Sequence, residues 1–323
     1  MDRPTEELCV LAGSGSPIFG RSIASHLGIE LARSEAMHFS DGNTFVRVLE
    51  NVRGRDVFVI QTLSRPVDQR FMELLFWIDA LKRASAAEVT AVIPYFSYAK
   101  GDKKDEPRVS IRARVCADCL EAAGVDRVLT MDLHAPQIQG FFRVPVDHLY
   151  AAPVLMNEVR KLNGDDNWVV VSPDAGFAKS ARTYARLMGA SFALAEKIRP
   201  DHSEKPEVEY IIGEVKGKRA LIVDDFTTSG GTVIATAERL WQKGAREVYA
   251  AVTHGALSPE AIQRVRHSQL KQLFISDTVE HEPSTLHDKI TVVSVAALFA
   301  EAIQSIFNRT SISKLFPEYE QSQ

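Results

Sequence analysis

The chain has 323 residues, 45% of them hydrophobic and 25% charged, with a formal net charge of -4. That length is comfortable for two domains, and the charge is too mild for a polyanion binder, so no nucleic-acid partner is expected. The opening Met1-Asp-Arg-Pro-Thr-Glu-Glu7 carries acids where a secretory signal carries bases, and no apolar run approaches the ~18 residues that cross a membrane, so a cytoplasmic location without a membrane partner is expected.

In chain order, Gly13-Ser-Gly15 reads as a strand-to-helix turn, and Ile18 stands where a dinucleotide fingerprint needs glycine. Val57–Ile60 reads as a buried strand, Gln69–Ala84 as a helix and Val89–Ile93 as the next strand. Lys100–Arg114 is dense in charge and reads as an exposed loop running into a helix over Arg112–Ala123. That helix sets Cys116 and Cys119 one turn apart. With Cys9 as the remaining cysteine, a lone C-x-x-C is read as structural. Further strands are expected at Val128–Met131, Val169–Val171, Leu221–Val223 and Val248–Val252, with a helix over Thr232–Lys243. Pro200–Glu209, with two prolines and four acids, reads as a second exposed loop. The strand–helix alternation implies parallel sheets covered by helices on both faces, an α/β fold.

An internal echo divides the chain. Val52-Arg-Gly-Arg-Asp-Val-Phe-Val-Ile-Gln-Thr62 resembles Val215-Lys-Gly-Lys-Arg-Ala-Leu-Ile-Val-Asp-Asp225. Each runs from a basic glycine turn into a strand, then through a helix to a second strand. We therefore expect a duplicated α/β domain, residues 1–152 and 153–323, with the junction near Ala151-Ala-Pro153.

The sharpest chemical signal is Leu221-Ile-Val-Asp-Asp-Phe-Thr-Thr-Ser-Gly-Gly-Thr232. A buried strand ends in Asp224 and Asp225, and Thr227, Thr228, Ser229, Gly230, Gly231 and Thr232 then open a helix. Backbone N–H groups and hydroxyls in such a turn suit a phosphate, helped by the helix N-terminus. The paired acids suit sugar hydroxyls or Mg2+ instead. The loop resembles the ribose-phosphate loop of type I phosphoribosyltransferases, and lacks the lysine of a Walker A loop.

The second signal is Asp132-Leu-His-Ala-Pro-Gln-Ile-Gln-Gly-Phe-Phe-Arg-Val-Pro-Val-Asp147. Taken alone, His134 reads equally well as a metal or phosphate ligand and as a packed, hydrogen-bonded histidine. The whole string resembles the signature of ribose-phosphate pyrophosphokinases. The likeness extends through Phe39-Ser-Asp-Gly42, Met72-Glu-Leu-Leu75, Asp79–Ser85, Ile93-Pro-Tyr-Phe-Ser-Tyr98 and Val171-Ser-Pro-Asp174.

That resemblance implies two tandem type I phosphoribosyltransferase-like domains, each a mainly parallel sheet flanked by helices. It implies transfer of the β,γ-diphosphate of Mg-ATP to the C1 hydroxyl of ribose 5-phosphate, giving phosphoribosyl pyrophosphate and AMP. Joining two polyanions in this way relies on positioning and electrostatic stabilisation. ATP is expected at Phe39, Asp41, Asn43, Lys100, Gly101, Asp102, Lys103, Lys104 and His134. Magnesium is expected at His134 and Asp174. Lys197 and Arg199, two apart on an extended segment, are the expected transition-state stabilisers. The resemblance also implies that Phe39 and Asp41 serve a neighbouring subunit, hence a dimer-based hexamer.

The chain departs from the family pattern at four places. Asn43 replaces a glutamate, and Lys100 and Gly101 replace the arginine and glutamine that open the ATP loop. Lys104-Asp-Glu-Pro-Arg108 lacks a run of arginines, and Thr228 replaces an aspartate. Catalysis is expected to persist with weakened control by phosphate and ADP. A non-catalytic regulatory homologue in a mixed oligomer and a phosphoribosyltransferase are the other readings considered.

Overall fold

The computed structural model describes residues 4–198 and 207–316. Contacts divide the chain into two compact units. The first comprises Met1–Tyr150, Thr278–Glu280 and Val295–Gln323, and the second Ala151–Asp277 and His281–Ser294.

The first unit runs β1 (Leu8–Ala12), α1 (Pro17–Leu27), β2 (Ser34–His38), β3 (Thr44–Val48), β4 (Asp56–Ile60), α2 (Val67–Arg83), β5 (Glu88–Ile93), α3 (Arg112–Ala123), β6 (Arg127–Met131) and β7 (Val146–Leu149). Its main sheet has the order β1-β4-β5-β6-β7, and every pairing in it is parallel. β4 is buried along its whole length, as a strand covered on both faces must be. β2 and β3 form a separate antiparallel pair.

The second unit runs α4 (Ala152–Val159), β8 (Trp168–Ser172), α5 (Ala178–Met188), β9 (Ser191–Ile198), β10 (Glu207–Ile212), β11 (Arg219–Thr227), α6 (Gly231–Gln242), β12 (Glu247–Gly255), α7 (Pro259–His267), β13 (Gln272–Ser276) and β14 (Ile290–Val293). Its sheet order is β10-β9-β8-β11-β12-β13-β14. Only the β9–β10 pairing is antiparallel. Glu207–Glu209, read from sequence as loop, belong to this outermost strand, because its acids conceal the apolar alternation that Tyr210 to Ile212 continue.

The echo holds at the level of single hydrogen bonds. Before β4, Gly54 N–H donates to Ser85 O at 2.9 Å, Arg55 N–H to Val52 O at 3.1 Å and Ala87 N–H to Arg55 O at 2.9 Å. Before β11, Gly217 N–H donates to Gly244 O at 2.8 Å, Lys218 N–H to Val215 O at 3.1 Å and Arg246 N–H to Lys218 O at 2.8 Å. Gly54 and Gly217 both take a left-handed backbone, φ 73° and 71°, which explains the glycine in each basic turn. The strand order β8-β11-β12-β13-β14 repeats β1-β4-β5-β6-β7 position for position.

The tail does not follow the division at residue 152. α8 (Ala296–Phe307) returns to the first unit, where the Phe299 ring meets Phe19 edge-on at 5.3 Å. Glu280 returns as well, its carboxylate accepting the N–H groups of Ile18 and Phe19, each at 2.7 Å. These are orphan donors of the first turn of α1, and Ser16 gives them no side-chain cap. Apolar periodicity marks α8 as a helix but carries no information about which sheet it covers.

Candidate active site

In the second unit, β11 occupies the middle of the sheet between β8 and β12. Its carboxyl end is where ligands of open α/β sheets bind. Asp225 and Thr227 are buried, Asp224 and Thr228 partly so, and Ser229 is exposed. Asp224 Oδ1 accepts from Asp225 N–H at 3.0 Å, and Asp225 Oδ1 from Phe226 N–H at 2.8 Å, which fixes both carboxylates. Thr227 Oγ1 accepts from Gly230 N–H at 3.2 Å and closes the turn. Gly230 sits at φ 73° just before α6, and an added Cβ would lie 3.3 Å from Ile234 Cδ1. A side chain there would be strained by the backbone alone.

Asp174 follows β8, the parallel neighbour of β11, so it reaches the same sheet edge as Asp224. Its Oδ1 accepts from Phe177 N–H at 3.2 Å ahead of α5. Burial, then the charge and hydrogen bond of Asp225, then the charge of Asp174 hold the Asp224 carboxyl well above the usual carboxylate range. Among the described residues no group of three or more His, Cys, Asp or Glu side chains could by itself hold a metal ion. Magnesium is normally held by one or two carboxylates with water and substrate phosphate oxygens completing its shell, so it does not require such a group. Lys197 lies at the carboxyl end of β9, next to β8, with its backbone paired to Val208. Arg199 lies outside the described residues.

In the first unit, β5 ends at Ile93 and the chain makes one 3-10 turn over Ser97–Gly101. Tyr95 and Phe96 are buried beneath it. Tyr98 stacks edge-on against Phe71 at 5.5 Å and donates its hydroxyl to Asp68 at 2.5 Å. On this base Lys100, Lys103 and Lys104 are exposed, Asp102 is partly buried and Gly101 is buried. β6 runs parallel beside β5, so His134 leaves the same edge. Asp132, at φ 36°, turns the chain, after which Leu133 and Ala135 are buried and His134 is exposed. His134 is thus not packed in the core. Gln137 Nε2 donates to Asp102 Oδ2 at 3.3 Å and ties the signature segment to the lysine loop.

Phe39, Asp41 and Asn43 occupy the exposed turn between β2 and β3. Asp41 Oδ1 accepts from Asn43 N–H at 2.9 Å, and Gly42 is left-handed at φ 88°. This hairpin is a separate sheet, so no strand end carries it to the edge that bears Lys100 and His134. Two residues that sequence reading did not single out join these sites. Ser258 N–H donates to Thr228 O at 3.4 Å, and Arg112 lies against Gly101. Cys116 is buried on α3, its thiol pushed up to about 12 by burial and then by Cys119. A thiol so protonated is inert, which agrees with a structural C-x-x-C.

Residues 8–124 match the N-terminal domain of ribose phosphate pyrophosphokinase, and residues 193–317 match the phosphoribosyl synthetase-associated domain. The ribose-phosphate pyrophosphokinase of Caldanaerobacter subterraneus subsp. tengcongensis is 49% identical over 98% of this chain and 100% of its own length. The chain belongs to the ribose-phosphate pyrophosphokinase family. The enzyme of that name from Maricaulis maris is 48% identical over 95% of this chain and 99% of its own. The crystal structure of phosphoribosylpyrophosphate synthetase from Mycobacterium smegmatis superposes with a TM-score of 0.88 at 38% identity, covering 94% of this chain and 99% of the other. The α/β architecture is thus that of a pyrophosphokinase. Among the described residues no helix is long and apolar enough to cross a membrane.

Proposed function

We propose that this chain is a ribose-phosphate diphosphokinase that transfers the β,γ-diphosphate of Mg-ATP to the C1 hydroxyl of ribose 5-phosphate. The observation that carries this reading is the paired carboxylate and hydroxyl-glycine loop at the end of β11, in a chain that matches pyrophosphokinases over nearly its whole length. Asp224 and Asp225 receive the ribose hydroxyls, and Thr227 to Thr232 receive the 5-phosphate. The ATP polyphosphate lies over Lys100, Lys103 and Lys104, with Asp102 and Gly101 shaping the loop. Phe39 and Asp41 receive the adenine of a neighbouring subunit in a dimer-based hexamer, with Asn43 beside them in the ATP site. Lys197 and Arg199 stabilise the charge that grows on the transferring group. His134 and Asp174 are the residues that would hold Mg2+, which would supply charge neutralisation to the transferring phosphates.

The test is AMP release from ATP that depends on ribose 5-phosphate. The reading requires it, and background release alone overturns it. Inorganic phosphate titrated in the same assay addresses control. The missing arginine run and Thr228 lead us to expect near-full activity without phosphate, and strong activation with sigmoidal ADP inhibition would overturn that part.

A further inference from the structure

Gly101 is more than a lost contact. A Cβ placed on it would lie 2.7 Å from Arg112 Nε, 2.9 Å from Arg112 Cβ and 3.3 Å from Arg112 N. The arginine side chain could swing away, but its Cβ and main chain are fixed at the first position of α3. A side chain at 101 and Arg112 in this position therefore exclude one another. The exposed Arg112 guanidinium, unlike its neighbours, has no hydrogen-bond or ion-pair partner among the described residues. Two positions on, Arg114 is committed, with Nη2 on Asp118 at 2.5 Å and Nη1 donating to Phe141 O at 2.6 Å. An unspent guanidinium thus lies along a loop that already exposes Lys100, Lys103 and Lys104. The stretch from Lys100 to Arg112 carries Lys100, Lys103, Lys104, Arg108 and Arg112 against Asp102, Asp105 and Glu106, a net positive segment that suits a polyphosphate.

We propose that Arg112 is a nucleotide-binding residue, supplying from α3 the planar fork that Lys100 cannot form, and that Gly101 is the space in which it lies. A lysine offers a point charge, whereas a guanidinium grips two phosphate oxygens at once. The inference rests on the ATP reading of this loop. Gly101 and Arg112 are then one device in two pieces, and their effects on substitution are coupled.

The experiment is a cycle of Arg112→Ala, Gly101→Gln and the double variant, read as KM for each substrate and as ATP affinity by calorimetry. Loss of a charge-assisted contact predicts about a tenfold or greater rise in KM for ATP for Arg112→Ala, with KM for ribose 5-phosphate unmoved. Gly101→Gln produces a rise at least as large by crowding the arginine, and because Arg112→Ala keeps the Cβ and main chain that a side chain at 101 meets, the double variant matches Gly101→Gln alone. Arg112→Lys, which keeps the helix start and the charge, falls between wild type and Arg112→Ala. An unchanged ATP affinity in Arg112→Ala, or fully additive losses, overturns the proposal. If the wild-type protein releases no AMP yet binds ATP through Arg112, the activity reading fails and this one survives.

Discussion

Asp224 pairs a proposed ribose-binding position with a cost to the fold. Its carboxyl titrates above the usual range because it is buried and faces Asp225 and Asp174. The sign of the linkage follows. Unfolded, the group ionises near pH ~3.9, while the folded protein holds the proton to higher pH. Its contribution to stability is therefore fully present below the unfolded pKa and is lost as pH rises towards the raised folded value. At neutral pH the ligand-free protein keeps an acid in an environment that disfavours its charge. Asp224→Asn should then raise the melting midpoint at pH ~8, by roughly 2–4 °C per kcal/mol relieved, with the gain vanishing near pH ~4. Activity should fall at every pH, because the amide cannot serve a cation or ribose hydroxyls as a carboxylate does. Melting curves that shift equally at both pH values would remove the crowding argument.

At the scale of elements, β11 divides its labour between its ends. The carboxyl end carries the acids, while the amino end is pinned by Arg219, only 2% exposed. Its guanidinium donates Nε to Glu247 at 3.0 Å and Nη2 to Tyr249 OH at 3.2 Å, and lies over the Trp168 ring at 4.1 Å. Arg219→Ala strips all of this from the middle strand of the sheet. We expect ~3 kcal/mol of lost stability, the low end for breaking a buried ion pair, since Glu247 is partly exposed and keeps Lys271. KM for both substrates should stay unchanged in the fraction that folds, and chemical denaturation with parallel kinetics measures both. The strands β4, β5, β8, β11 and β12 were legible because covering both faces demands short, mainly apolar runs rich in β-branched residues. The hydroxyl-glycine loop was legible because few other roles require those residues in that order. Arg112 was not, since its meaning depends on Gly101 lying beside it in space. Nor was the return of α8 to α1, which a helical period cannot encode. β10 was hidden by its acids.

For the whole molecule, the β2–β3 hairpin supplies the argument for assembly. Alternation gives it two faces. Val46 and Val48 pack on the core of the first unit, while Met37 and Phe45, directly paired across the strands, point the other way. With Phe39 and Leu49 they leave four large apolar side chains between 36% and 49% exposed on one small element. Single exposed apolar residues need no explanation, but a cluster of them marks an interaction surface. A second copy of the chain fits, because Phe39 would then sit in an interface and reach a neighbour's nucleotide. Met37→Asp combined with Leu49→Asp touches neither Phe39 nor Asp41, so it isolates assembly from direct nucleotide contact. A desolvated interface tolerates buried, unpaired carboxylates poorly, so the double variant should sediment as a smaller species. Its KM for ATP should rise together with that loss of mass, while KM for ribose 5-phosphate holds. The protein itself should melt within roughly 2–4 °C of wild type, as exposed positions rarely cost much. Unchanged sedimentation would show that this face is not where subunits meet, and a loss of mass with unaltered ATP kinetics would place the adenine contacts within a single chain.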